Sequence, residues 1–230
     1  MENYIKTSPL PEAERHNAHL LNSHLASLDR HIIDFNSAIK LLQFSRTISG
    51  DIMENRRRYR DEVPAISNFD ISSRMSKLNS MRDEARLIGR WEHFAAQHAA
   101  VNACQVIDRI NEIEKNAVKL KSLKHDIKFK RLEEAKIYFR EKFPDYKDVR
   151  DGYAHEVHKS FFNEDIEKHS KGQGAFLSNV LIDDTLTHTV YGKTVRLGVN
   201  EQSASNLIHT RSIILSAFEK IFTSYTEFGG

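Results

Sequence analysis

The chain is short of the residues that interrupt helices. Its 230 residues include only nine glycines and four prolines. That excludes collagen-like and low-complexity chains, and it argues against a turn-rich all-β architecture. There is one cysteine, Cys104, so an internal disulfide and a cysteine-built zinc site are both excluded. Lys and Arg number 34 against 32 Asp and Glu, a formal net charge of +2. A chain so nearly neutral does not hold nucleic acid by bulk charge; any such binding must come from local patches. No uninterrupted apolar run approaches the roughly 20 residues that span a bilayer. The first eleven residues lack the apolar stretch of a secretory signal. These absences lead to the expectation of a cytoplasmic protein with no membrane association.

What is present is helical material. Hydrophobic residues make up 40% and charged residues 29%, with abundant Leu, Ile, Ala, Glu and Lys. Pro11-Glu12 opens a first long helix whose apolar positions Leu21, Leu25, Leu28, Ile32, Phe35, Ile39 and Leu42 step by four and three. Such a seam packs lengthwise against another long helix, in the same chain or a second copy. The helix is expected to fade near Ser49-Gly50. A basic knot follows, Arg56-Arg57-Arg58 with Arg60, and Val63-Pro64 breaks the chain. Asn68 to Ser73 reads as a loop or a helix start, and a second long helix is expected over about 80–120. Its seam is Ala99, Ala103, Val106, Ile110, Ile113, Ala117 and Leu120, and Ala95, Ala96, Ala99 and Ala100 invite a close neighbour. Cys104, inside this pattern, reads as a small buried hydrophobe. Trp91 reads as a core anchor.

A third helix is expected over 121–142, with Ile127, Leu132, Ala135 and Phe139 as its apolar points. From Lys115 to Lys142 there are ten Lys or Arg against four Asp or Glu, the most basic stretch in the chain. Pro144 then starts a helix to about Ser160, with Tyr146, Val149, Tyr153 and Val157 facing the core. Between 175 and 199 the pattern turns β-like: Phe176 to Ile182, Leu186 to Tyr191 and Thr194 to Val199, with Asp183-Asp184 and Gly192-Lys193 as turns. A last helix over about 201–225 buries Leu207, Ile208, Ile214, Leu215, Phe218 and Phe222. The fold class that follows is mostly α, a helical bundle with two long antiparallel helices. Residues 1–230 form one domain, with a small β-hairpin or three-strand meander inserted at 175–199.

The chemistry concentrates in Val149-Arg150-Asp151-Gly152-Tyr153-Ala154-His155. A histidine titrates near neutrality and can take or give a proton. An arginine stays charged and can hold a phosphate with two hydrogen bonds. Five positions apart on a straight helix, Arg150 and His155 are about 140° apart around the axis. Asp151 and His155 share a face, and His158 joins them one turn on. The plain alternative is a surface Asp-His pair beside a solvated arginine.

Arg150-Asp151-Gly152-Tyr153-Ala154-His155 resembles the Arg-x4-6-His signature of the HEPN superfamily, in its Arg-[Asn/Asp]-x-x-Ala-His form. The likeness is sharp from Tyr146 to Val157 and architectural elsewhere. It implies a metal-independent endoribonuclease, cytoplasmic and without a cofactor, of the kind found in toxin–antitoxin, phage-defence or RNA-processing systems. The active site would form at a homodimer interface, where motif helices of two subunits meet. His155 would assist proton transfer at the ribose 2′-hydroxyl, Arg150 would hold the scissile phosphate, and Asp151 would position one of them. An arginine from one copy and a histidine from the other converge without sharing a face. His158 and Lys159, and His98 and Asn102 on the second long helix, are candidate RNA contacts. An antitoxin or a defence-complex protein is the implied partner. Some toxin members carry a Tyr two residues after the His as a site of modification; here Val157 stands there, which puts neutralisation by that route in doubt.

Two other classes compete. Some HEPN proteins have lost activity and serve as scaffolds, so a non-catalytic helical interaction protein is the alternative function. His155 and His158, with His93 or His98, form the third reading, a metal site. His16, His19, His24 and His31 cluster in sequence but fall at several angles around the first helix.

Overall fold

The computed structural model describes residues 3–62, 68–149, 180–190 and 193–224. Two helices of very similar length carry the fold: α1 (Glu12–Glu62) and α2 (Asn68–Ala117). They pack against each other along their length, antiparallel and within the chain. Glu12 and Glu14 sit in the first turn of α1, where carboxylates complement the helix dipole. Every seam residue anticipated on α1 is buried, from Leu21 to Leu42, and so is every one from Ala99 to Leu120. Facing them, Ala95, Ala96, Ala99, Ala100 and Ala103 let the α1 backbone approach closely.

α1 does not fade at Gly50; it runs twelve residues further, to Glu62. One helical glycine costs only about 1 kcal/mol, and contacts beyond it outweigh that. Arg56 Nε donates to the Leu78 carbonyl oxygen at 3.0 Å, and the Lys77 ammonium lies 4.8 Å from the centre of the Tyr59 ring. The basic knot is therefore helical, and Arg58 and Arg60 pair with Glu54 and Asp61. The second helix likewise starts about three turns earlier than its seam suggests, at Asn68. The expected break at Val63-Pro64 lies outside the described residues.

The third helix is split. A 3₁₀ turn (Lys121–Leu123) is followed by α3 (Phe129–Lys142), because the chain between them is drawn onto the C-terminal helix. Lys128 N–H donates to the Ala217 carbonyl oxygen at 2.9 Å, and Ile127 is buried. Leu132, Ala135 and Phe139 are buried as expected. Residues 146–149 are helical.

A three-stranded antiparallel meander precedes the last helix: β2 (Val180–Ile182), β3 (Thr185–Val190) and β4 (Lys193–Gly198). Asp183, in the β2–β3 turn, has φ of 52°, a conformation that Asp tolerates better than most residues. Arg46 of α1 reaches Asp184 and the Asp183 carbonyl oxygen, fastening this turn to the long helices. Helix α4 (Glu201–Ala217) is capped by Asn200, whose side chain accepts from Ser203 N–H. Arg211 of α4 grips Asp29 of α1 with two hydrogen bonds, one of 2.8 Å from Nη2.

α4 stops at Ala217 rather than near 225. Beyond it β5 (Phe222–Ser224) pairs antiparallel with β1 (Asn3–Ile5). Asn22 completes that ribbon: Ile5 N–H donates to its Oδ1 and its Nδ2 donates to the Ile5 carbonyl oxygen, both at 2.9 Å. Of the apolar residues assigned to the core of the last helix, Leu207, Ile214 and Phe218 are fully buried and Leu215 and Phe222 partly. Ile208 is 48% exposed, since α4 is covered by α1 and α3 on only part of its circumference. Among the described residues no helix is long and apolar enough to cross a membrane.

Phe35 and Ile208 make a contrasting pair. Phe35→Ala empties a fully buried position in the seam and is expected to lower unfolding stability by about 3–5 kcal/mol. Ile208→Ala, on an exposed face, should change it by roughly 0.5 kcal/mol or less. Urea unfolding followed by circular dichroism measures both; equal losses would mean that the seam is not the centre of stability.

Candidate functional site

Arg150, Asp151, His155, His158 and Lys159 lie outside the described residues. The structure does describe the approach to them. At Phe143 the chain leaves α3, and Pro144 and Asp145 form a turn before helical residues 146–149. Phe139, Phe143 and Tyr146 pack as an aromatic group: Phe139 stacks on Phe143 at 4.9 Å and meets Tyr146 edge-on at 5.4 Å. Val149, the residue before Arg150, is buried, and its N–H donates to the Asp145 carbonyl oxygen at 2.9 Å. The Cys104 thiol donates to the Tyr146 carbonyl oxygen at 3.3 Å. So the lone cysteine is buried, as expected, and it holds down the first turn of this helix.

The meander clamps the same turn from the other side. Arg196 N–H of β4 donates to Asp145 Oδ2 at 3.1 Å. Lys193 Nζ lies 2.8 Å from Asp145 Oδ1 and 3.3 Å from Asp148 Oδ2. These hydrogen bonds, Asp145 foremost, raise the Lys193 pKa above the ordinary lysine value. Sequence reading gave Asp145 no role and put Lys193 in a turn, whereas Lys193 is the first residue of β4. A carboxylate just after a proline at a helix start was the available signal; its partner, 48 residues away, had none.

His98 and Asn102 occupy one side of α2. Asn102 is buried at the α1–α2 seam. Its Nδ2 donates to the His98 carbonyl oxygen at 2.9 Å, so Oδ1 is the acceptor facing His31 Nδ1, also at 2.9 Å. In that orientation His31 Nδ1 is the donor to Asn102, and its Nε2 faces the Ser27 hydroxyl at 3.4 Å. The His98 side chain is exposed. Cys104 is two residues from Asn102, about 200° around the helix. The side of α2 that bears Asn102 is therefore turned away from Tyr146. The structure joins Asn102 to His31 and to the backbone of His98, and brings neither to residues 146–149.

The seam continues to His24, whose Nδ1 faces Arg109 Nη1 at 3.4 Å. Partial burial pushes the His24 pKa below its ordinary value; Arg109 and Lys115 push the same way, against Glu112. Arg109 Nε is buried without a hydrogen-bond partner among the described residues. Of the four N-terminal histidines, then, His24 and His31 are drawn into the helix seam, each by a different partner. Among the described residues no group of three or more His, Cys, Asp or Glu could hold a metal ion. The basic segment from Lys115 to Lys142 is partly neutralised: Lys115, Lys128, Arg131 and Lys136 pair with Glu112, Glu219, Glu134 and Glu114 respectively.

The polar seam makes two testable demands. Asn102→Ala leaves His31 Nδ1 without its acceptor and is expected to cost about 1–3 kcal/mol by urea unfolding. For His24, the folded pKa lies below the unfolded value of 6.5. Above that pH both states are neutral and nothing is lost. As pH falls through it the unfolded state takes up the proton first, so stability declines. Unfolding of the wild type and of His24→Gln, compared from neutral to mildly acid pH, should show the wild type losing more. Parallel pH profiles would remove His24 as the cause.

Comparison with protein families, with curated proteins and with solved structures finds no match to this chain.

Proposed function

We propose that this chain is a metal-independent endoribonuclease of HEPN type, working as a homodimer in the cytoplasm without a cofactor. What supports the reading is the Arg150–His155 motif, which follows directly on a helical turn held from three sides: by the aromatic group of Phe139 and Phe143, by the Cys104 thiol and by the Asp145 clamp. A catalytic pair needs such support, because displacements near 1 Å cost rate. In this reading His155 takes the proton from the ribose 2′-hydroxyl as its oxygen attacks the adjacent phosphorus. Arg150 holds the phosphate and offsets the charge that develops on it, and Asp151 positions one of the two. The bond from phosphorus to the 5′-oxygen breaks, that oxygen takes up a proton from water or from the protonated His155, and the products carry a 2′,3′-cyclic phosphate and a 5′-hydroxyl. His158 and Lys159 bind flanking phosphates. Of the α2 pair, His98 is the one with an exposed side chain for RNA, Asn102 being engaged by His31. The implied setting is toxin–antitoxin or phage defence, with an antitoxin or defence-complex protein as partner.

A scaffold without catalysis is the second reading. The exposed Trp91 and Phe94 on α2 favour it, because large apolar side chains in the open mark binding surfaces.

Purified wild type is expected to cleave a broad RNA pool in the presence of EDTA. Arg150→Ala and His155→Ala should each lower the rate by about 10²–10⁴-fold, the range of a lost acid–base group. Mapping of cyclic-phosphate ends gives the bond broken. Equal cleavage by all three proteins would remove the assignment, and an inert wild type would favour the scaffold.

A further inference from the structure

Arg109 carries a charge in the α1–α2 seam that no carboxylate among the described residues answers. It is half-buried, and its Nε has no hydrogen-bond partner among the described residues. Other half-buried arginines have counter-charges: Arg46 pairs with Glu92 and Asp184, and Arg211 with Asp29. Glu112, one turn on from Arg109 along α2, is taken by Lys115 at 3.3 Å. A guanidinium drawn out of water without a counter-ion is costly, so an anion at this position is favoured.

The contact that Arg109 does make supplies a second donor. Its Nη1 lies 3.4 Å from His24 Nδ1 on α1. A guanidinium only donates. In that orientation His24 Nδ1 is the acceptor, which leaves the N–H of the neutral ring on Nε2. Two donors, one cationic and one neutral, thus stand together on neighbouring helices. Gln105, one turn before Arg109 and half-buried, adds an amide on the same side of α2.

We propose that Arg109 and His24 form a phosphate-binding site. A phosphate oxygen accepts from the imidazole N–H while the planar fork of the guanidinium takes others, the recognition for which arginine is suited. Burial, and after it Arg109, holds the His24 pKa below its ordinary value; Lys115 acts with Arg109, and Glu112 against them. A phosphate set between the two side chains offsets the push from Arg109. Protonation of His24 and binding of phosphate therefore favour each other.

Free phosphate monoesters and a nucleic-acid backbone share this chemistry. Trp91, expected in the core but 51% exposed, lies on the same side of α2 five turns away, about 27 Å. It does not stack a base whose phosphate sits at Arg109, so the site reads phosphate and not base. Arg109 is five residues past Cys104, about 140° around α2, and Cys104 is the residue that touches Tyr146. The site thus does not rest on the nuclease reading and survives an inert motif.

Titration with inorganic phosphate at constant ionic strength, followed by the His24 imidazole resonances in NMR, tests it. The resonances are assigned by their loss in His24→Gln. Phosphate in the millimolar range is expected to shift them saturably and to raise the His24 pKa, and chloride is expected to do neither. Arg109→Gln should weaken phosphate binding by about 10–100-fold, the effect of one lost charge-assisted hydrogen bond. Arg109→Lys, which keeps the charge without the fork, should fall between. Phosphate should also raise the melting temperature of wild type and leave that of Arg109→Gln unchanged. A short 2′-O-methyl RNA, which has no 2′-hydroxyl to attack with, and a nucleoside monophosphate separate the two sources: the one that displaces inorganic phosphate at the lower concentration is the ligand class. No saturable shift of His24 by phosphate in the wild type, or an equal shift by chloride, overturns the proposal. So does an undiminished response in Arg109→Gln.

Discussion

Everything in this molecule hangs on the contact between α1 and α2. The contact is asymmetric: α1 contributes Leu21, Leu25, Leu28, Ile32, Phe35, Ile39 and Leu42, whereas α2 offers a run of alanines before turning to Val106, Ile110 and Ile113. Large side chains set against small ones bring two backbones close and fill the space between them, which is how interiors reach close packing. Neither helix could hold its length alone, since an isolated helix gains little from propensity. Once paired, they provide the surface onto which the other elements are fastened by individual polar links: Arg211 to Asp29 for α4, Arg46 to Asp184 for the meander, Asn22 to Ile5 for the terminal ribbon.

The links are of different kinds and carry different weight. Arg211 and Arg46 make partly exposed ion pairs, which stabilise little and chiefly set position. The His31–Asn102 pair is more demanding, because Asn102 is buried and an unpaired buried amide is expensive. Asp145 combines both roles. Its two oxygens are shared between a backbone N–H and an ammonium of β4, so the meander, far away in sequence, is part of the support beneath residues 146–149. The inserted sheet and the start of that helix form one structural unit.

How much of this could be read from the residues depends on how local the signal is. A seven-residue seam repeats its information six or seven times, and both seams emerged correctly, as did the meander between Val180 and Gly198. Where a single residue carried the inference, tertiary contact decided instead. Gly50 looked like a stop, but the pairing of Arg56 and Tyr59 with α2 carries the helix past it. Trp91 looked like core because tryptophan is usually sheltered; its angle around α2 puts it outside the seam. The β1–β5 ribbon was invisible, since three residues at either end of the chain carry no periodicity. For the candidate site, the motif was legible and its support was not. The clamp on Asp145 depends on residues 48 and 51 positions away, and no spacing rule links them.

The ribbon has a consequence of its own. Asn3 is paired with Ser224, and paired strands lie about 4.8 Å apart. The described chain thus begins and ends at one spot, near Asn22 on α1 and roughly 60 Å along that helix from Glu62. In topological terms the fold is nearly a closed loop with a long two-helix spoke. Anything joined to one end is held beside anything joined to the other, while the tip of the spoke stays clear of both.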